Sequence, residues 1–173
     1  LHTVPAGSAT GTLLHHLLEK VIENGLYQTP TIQGLSAFMQ GKLSDLHPWS
    51  TVIAELLFQV MHLSIDGVCL KDIPPDAIAQ EMEFLLPLQP DLMIKGFADL
   101  IFQFGGKTYI VDWKSNWLGP TSDDYSQQNL EKAMEHHDYF LQARIYGAAL
   151  VQWLRKYETK PPKEFYGGAF YVF

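Results

Sequence analysis

The sequence predicts an α/β domain with a mixed β-sheet flanked by helices, and three observations lead there. Leucine-rich runs at helical spacing fill much of the first 61 residues, a Gly105-Gly106 pair joins two strand-like runs, and a long helical pattern precedes a closing apolar run. The first gives an N-terminal helical segment, the second an antiparallel hairpin. The third requires the last strand to return beside that hairpin, which makes the sheet mixed. At 173 residues, 47% hydrophobic and 18% charged, residues 1–173 read as one domain able to bury a substantial core.

Taken in order, Leu13, Leu14, Leu17, Leu18, Val21 and Ile22 recur at helical spacing, so residues 8–25 predict a helix that Gly25 stops. Residues 29–44 predict at most a short helix around Leu35 to Met39. Pro48 is expected to open the next helix from its first position, where a missing N–H costs nothing. Val52, Ile53, Leu56, Leu57, Val60 and Met61 line that helix. Residues 64–75, with Gly67 and Pro74-Pro75, read as loop with short strands. In residues 79–86, Met82 and Phe84 alternate against Glu81 and Glu83 as a strand. Beyond the hairpin, residues 116–124 predict a polar loop, 125–157 one long helix, and 168–173 a strand. Residues 1–78 are thus mainly helical, and 79–173 hold the sheet.

Counting outward from the glycine turn, Phe104 faces Lys107, Phe102 faces Tyr109, Leu100 faces Val111, and Asp99 faces Asp112. Directly opposed residues have Cβ atoms about 5 Å apart, where two carboxylates repel by roughly 3 kcal/mol at an effective dielectric near 20. A positive group belongs between them. Alternation puts Lys114 on the face of Asp112, and a divalent ion that prefers oxygen, Mg²⁺ or Mn²⁺, would neutralise the pair better. The face of Asp99, Ile101, Gln103, Thr108, Ile110, Asp112 and Lys114 is charged at one end only. The face of Ala98, Leu100, Phe102, Phe104, Tyr109, Val111 and Trp113 is the expected core. Such local charge points to a metal-dependent hydrolytic site; an exposed charged strand is the plain alternative.

His15 shares a helix face with Gly11 and Glu19. A neutral imidazole ligates metal, and a glycine one turn away admits a close approach; a half-buried structural histidine accounts for it as well. His16, His136 and His137 are decoys of the same kind. Gln142 and Tyr146 form an i, i+4 pair with Tyr139 near the same side. Glutamine can orient a phosphate or water, and tyrosine can stack on a base; an amphipathic boundary has the same pattern. Glu81 and Glu83 are candidates for a further carboxylate.

Composition narrows the rest. Cys69 is the only cysteine, which rules out an internal disulfide, a four-cysteine zinc site and a cysteine-held iron–sulfur cluster within the chain. A reducing cytoplasm is compatible. There is no apolar run of transmembrane length and no signal-peptide pattern. The formal charge of −7 is awkward for binding phosphates, so this piece alone is expected to grip nucleic acid weakly. With Leu1 first and Phe173 inside an apolar run, the expectation is a piece of a larger protein. Some of its 4 Trp, 10 Phe and 8 Tyr would then face a missing partner.

Taken together, five stretches resemble the RecB-type nuclease domains of the PD-(D/E)XK superfamily over nearly the whole chain. They are Gly11-Thr12-Leu13-Leu14-His15, Glu81-Met82-Glu83-Phe84, Gly96-Phe97-Ala98-Asp99-Leu100, Val111-Asp112-Trp113-Lys114-Ser115-Asn116-Trp117-Leu118-Gly119, and Ala133-Met134 through His137, Tyr139, Leu141-Gln142 to Tyr146. A bare Asp-X-Lys is common; the ordered set is specific. The resemblance implies a restriction-endonuclease-like core with residues 79–173 catalytic. It implies that His15, Asp99, Asp112 and the Trp113 carbonyl bind Mg²⁺, with Mn²⁺ a substitute and Ca²⁺ binding without cleavage. Lys114 would position the attacking water and stabilise charge on the phosphate, while Gln142 and Tyr146 shape the site and contact the strand. Two departures stand out: Ala98 replaces the proline of the superfamily's name, and Trp113 occupies a position where Tyr is commoner.

The resemblance further implies hydrolysis of DNA, as single strands produced by unwinding, in repair of double-strand breaks by homologous recombination. The partners would be a helicase domain of the same longer chain and RecC-like and RecD-like subunits, in the cytoplasm at the nucleoid and not at a membrane. No phosphate-binding Gly-X-X-X-X-Gly-Lys-Ser/Thr stretch is present, so ATP use belongs elsewhere. Three other readings stand beside this one: an inactive domain of the same fold used for DNA guiding or subunit contact, a Cas4- or AddB-type nuclease, and a non-nuclease metal hydrolase. The lone Cys69 opposes the second, since those nucleases carry a four-cysteine cluster.

Overall fold

The amphipathic runs form helices largely where their periodicity puts them in a computed structural model that describes residues 4, 5 and 7–173. The chain divides into two units: the described residues up to Pro75 with Ser115–Thr121, and Asp76–Lys114 with Ser122–Phe173.

In the helical unit, α1 (Ser8–Glu23) buries Leu17, Leu18, Val21 and Ile22. Tyr27, 1% exposed, donates its hydroxyl to the Ile73 carbonyl at 2.9 Å and ties the start of this unit to its end. α2 (Ile32–Met39) opens at Thr31, whose side chain accepts from the Gly34 amide, the usual relief for an orphaned helical N–H. Pro48 lies inside a 3₁₀ turn, Ser44–Trp49, and α3 (Ser50–His62) starts after it. The expected helix start therefore shifts by two residues, because a proline is tolerated as well in a tight preceding turn. β1 (Ser64–Ile65) and β2 (Val68–Cys69) pair across Asp66-Gly67, both at positive φ, the geometry of a two-residue hairpin.

The sheet unit contains β3 (Ile78–Gln89), β4 (Leu92–Phe104), β5 (Lys107–Trp113) and β6 (Tyr166–Val172), adjacent in that order. The first three are antiparallel, and β6 joins β5 in parallel, so the sheet is mixed as expected. Gly105 and Gly106 adopt φ of 57° and 78°. The pairs Phe104–Lys107, Phe102–Tyr109 and Leu100–Val111 form as counted. β4 reaches back to Leu92, beyond the expected strand.

The single helix expected over 125–157 is two, α4 (Gln127–His136) and α5 (Tyr139–Leu154), with α6 (Pro162–Phe165) before β6. Asp138 breaks it at φ 55°, a left-handed conformation that Asp enters more readily than most residues. Apolar spacing continues on both sides of such a break and so conceals it.

Face alternation also departs from expectation. Ala98 packs in one core cluster with Ile110, Leu150, Leu154 and Phe165, with Ile101 against them, so it lies with residues assigned to the opposite face. The β3–β4 pairing steps from Gln80–Leu100 to Met82–Ala98, and Glu81 between them has φ 47°. The pleat is thus interrupted at Asp99. β5 is buried on both faces, Thr108, Ile110 and Asp112 as well as Val111, because Leu150 and Leu154 of α5 pack over Ile110 on the face opposite the expected core.

A glutamate in left-handed backbone costs about 1–2 kcal/mol. Glu81→Gly should relieve that strain and raise the urea midpoint by an equivalent of roughly 1 kcal/mol; an unchanged or lower midpoint would show the strain is absent.

Candidate active site

β5 ends in the chemistry. Asp112 is 3% exposed, and its Oδ1 forms an ion pair with Lys114 Nζ, so both side chains lie on one face as alternation requires. The Lys114 amide continues the ladder, donating to the Val172 carbonyl at 2.8 Å, which fixes the lysine's backbone against β6. From α5, Gln142 reaches both partners: its Nε2 donates to Asp112 Oδ2 at 3.1 Å, and its Oε1 accepts from Lys114 Nζ at 3.1 Å. One amide therefore bridges the carboxylate and the ammonium with its two ends in opposite roles.

Asp99 sits differently from the simple count. The β4–β5 ladder stops at Leu100–Val111, one step short of the two aspartates. The Trp113 amide instead donates to Asp99 Oδ2 at 2.8 Å. Like charges directly opposed are unfavourable, and a backbone N–H gives the second carboxylate a compensating partner. Asp99 and Asp112 are still joined through a single peptide.

Aromatic side chains close over the lysine. Its Nζ lies 4.0 Å from the centroid of the Tyr139 ring and 5.2 Å from that of Tyr171, and those rings stack at 5.8 Å. Tyr171 also donates its hydroxyl to Gln142 Oε1 at 3.2 Å. Burial, then the nearby Asp112 charge, pushes the Tyr171 phenol above its ordinary value, so it persists as a donor. Tyr146, one turn after Gln142, turns toward the sheet and meets Phe84 edge to face at 4.8 Å.

The Asp99 and Asp112 carboxylates offer the oxygen donors that hard divalent cations select, so their chemistry fits such an ion. Among the described residues, no three His, Cys, Asp or Glu side chains gather into a metal-binding group. His15 is half-buried on α1 in the helical unit. Glu19 is engaged by His16 at 3.4 Å and by Lys20 at 3.3 Å, and Glu83 by Lys95 at 3.1 Å. Gly11 has a reason for lacking a side chain: a Cβ there would collide with Ser115, the residue that follows Lys114.

Residues 2–173 match the PD-(D/E)XK nuclease superfamily. The chain belongs to that superfamily. It is 29% identical to the RecBCD enzyme subunit RecB of Escherichia coli K12 over 99% of its length, and 32% identical to RecB of Chlamydia pneumoniae over 90%. It is 30% identical to RecB of Haemophilus influenzae over 98%. The chain spans about one-sixth of these relatives, 15–17% of their length. It is thus similar to a nuclease-like region of RecB.

Within this nuclease fold, the sheet unit brings Asp112, Trp113, Lys114, Asp99 and Gln142 together, while Tyr146 lies beside them. Sequence reasoning missed Tyr171. It is the parallel partner of Asp112, and no turn links β6 to β5 from which that register could be counted.

Lys114→Ala would leave a carboxylate buried without its cation. Unfolding in urea should then show a loss of about 3–5 kcal/mol, with Asp112→Leu/Lys114→Met recovering most of it; a small loss for the single variant would mean the pair is hydrated.

Proposed function

We propose that this chain is a divalent-metal-dependent deoxyribonuclease module that hydrolyses DNA phosphodiesters. The observation that carries the reading is the Asp112–Lys114 pair bridged by Gln142, with Asp99 tied to the intervening peptide. Asp99, Asp112 and the Trp113 carbonyl would hold Mg²⁺, and the order of motifs assigns His15 as a further ligand. Mn²⁺ would substitute, and Ca²⁺ would bind without supporting cleavage. When bound, such an ion supplies Lewis-acid polarisation of the phosphate and acidification of water.

The chain's own groups do the remainder. Lys114 presents an ammonium whose position is fixed by a carboxylate, an amide oxygen and two rings, preorganised toward the charge that develops on phosphoryl oxygens. Gln142 keeps that ammonium and the Asp112 carboxylate in register. The raised Tyr171 phenol holds the amide's orientation, and Tyr146 contacts the strand beside the scissile bond.

The similarity to RecB subunits, of which the chain covers about one-sixth, supports a place in a helicase–nuclease assembly. A helicase on the same longer chain and RecC-like and RecD-like subunits would deliver unwound single strands during double-strand break repair by recombination, at the nucleoid in the cytoplasm. Among the described residues, no helix is long and apolar enough to cross a membrane.

The test is cleavage of a single-stranded oligonucleotide with Mg²⁺. EDTA should abolish it, Asp112→Asn should reduce it to background, and Lys114→Gln should slow it roughly 10²–10³-fold. His15→Ala should raise the Mg²⁺ requirement roughly 10–100-fold, and an unaltered requirement removes His15 from the ligand set. No Mg²⁺-dependent cleavage by the unaltered chain sinks the proposal and leaves an inactive scaffold.

A further inference from the structure

The end of α5 and the turn that follows carry a surface the catalytic groups do not use. Residues 152–164 hold Arg155, Lys156, Lys160 and Lys163, four of the chain's 12 lysines and arginines, against Glu158 and Glu164. In a chain of net charge −7 this stretch is locally positive. All four cations are exposed, and two aromatic residues are exposed among them: Trp153 at 41% and Tyr157 at 73%, ring to ring at 5.6 Å. Trp153 and Lys156 also line a groove of about 500 Å³ between α5 and the sheet, whose apolar wall includes Phe84, Tyr146 and Leu150.

The geometry points to a subsite for an unpaired polynucleotide strand, with a base stacked on Trp153 and a phosphate held by Lys156, which follows it on the same groove-lining face. Aromatic rings interleaved with cations are what a strand with exposed bases requires, since every base offers a π-face and every linkage a charge. An apolar peptide would fill the groove without using the cations, so the charge favours nucleic acid. A duplex keeps its bases stacked and gives Trp153 nothing to hold.

Placement agrees. Trp153 lies eleven residues after Gln142 on the same helix, roughly 16 Å at 1.5 Å per residue. Tyr146 and the groove lie between. A strand cut at Asp112 and Lys114 would cross the groove and reach Trp153 a few nucleotides away. This deepens the proposed nuclease reading by adding a strand-holding subsite at that distance from the cluster, and it rests on that reading only for which strand is bound.

The experiment is equilibrium binding in EDTA, where cleavage plays no part, so its failure is separate from any failure of the nuclease assay. Fluorescence anisotropy of labelled oligo-dT and of a blunt duplex of equal length is read with the 173-residue chain and its variants. Trp153→Ala should weaken oligo-dT binding about tenfold at a temperature well below its thermal melt, where the variant is folded, and Trp153→Phe should restore most of it. Duplex binding should change less than twofold, and abasic substitution in the oligonucleotide should mimic the loss. Unchanged oligo-dT affinity, an equal loss for duplex, or no measurable single-strand binding by the unaltered chain each overturns the subsite; unchanged affinity leaves the groove to a protein partner.

Discussion

The buried ion pair between Asp112 and Lys114 is the constraint around which the sheet unit is organised. Both side chains are nearly sequestered, 4% and 11% exposed. Taking two charges out of water is costly unless their remaining hydrogen-bonding capacity is met. Gln142 meets part of it from the helix, and the rings of Tyr139 and Tyr171 supply π-faces to the ammonium. Three chain segments far apart in sequence, β5, the first turns of α5, and β6, must therefore arrive together. A fold selected for stability alone would place apolar side chains here. The arrangement is better explained by a need to hold a carboxylate and an ammonium at fixed positions where water is scarce and their fields are strong.

Much of this was legible in the residues, and the limits have physical causes. The Gly105-Gly106 turn fixes the register of the hairpin because a two-residue loop leaves no slack. That register placed Asp112 and Lys114 on one face correctly. It failed one step further out, at Asp99, because strand pairing is local and yields when two like charges would be forced opposite each other. The break at Asp138 was hidden because apolar periodicity reports which residues are covered, not whether the axis is continuous. Tyr171 was hidden because a parallel strand arrives through a helix, and its register is set by packing. Gln142 could be read as a helical neighbour of Tyr146, but that its two amide ends serve opposite charges is a fact of three dimensions.

Glu81 and Asp99 occupy facing places in β3 and β4, and regular pairing lapses at both. The lapse moves Ala98 to the α5 side and frees Asp99 to accept from the Trp113 amide. Strain at one residue and a redirected carboxylate at its neighbour are linked consequences of the same interruption. Backbone outliers of this kind persist only where their surroundings overdetermine them, and here the sheet continues on either side. A proline before Asp99 would have removed one ladder donor; Ala98 retains it and packs into the core cluster.

Charge also bears on how an acidic chain would handle a polyanion under the proposed function. Asp99 and Asp112 contribute two negative charges beside a single ammonium, so the cluster is negative by one and repels a phosphate as it stands. A divalent cation reverses that sign, and a bound phosphodiester then restores neutrality. Binding of strand and ion would be mutually dependent, each correcting the imbalance left by the other. The basic stretch after Trp153 needs no such correction, since its cations are exposed and already in excess. Under the proposed reading the two regions would divide the work by distance: a locally positive surface would attract a strand without metal, and a buried negative cluster would admit the phosphate only once its charge had been met.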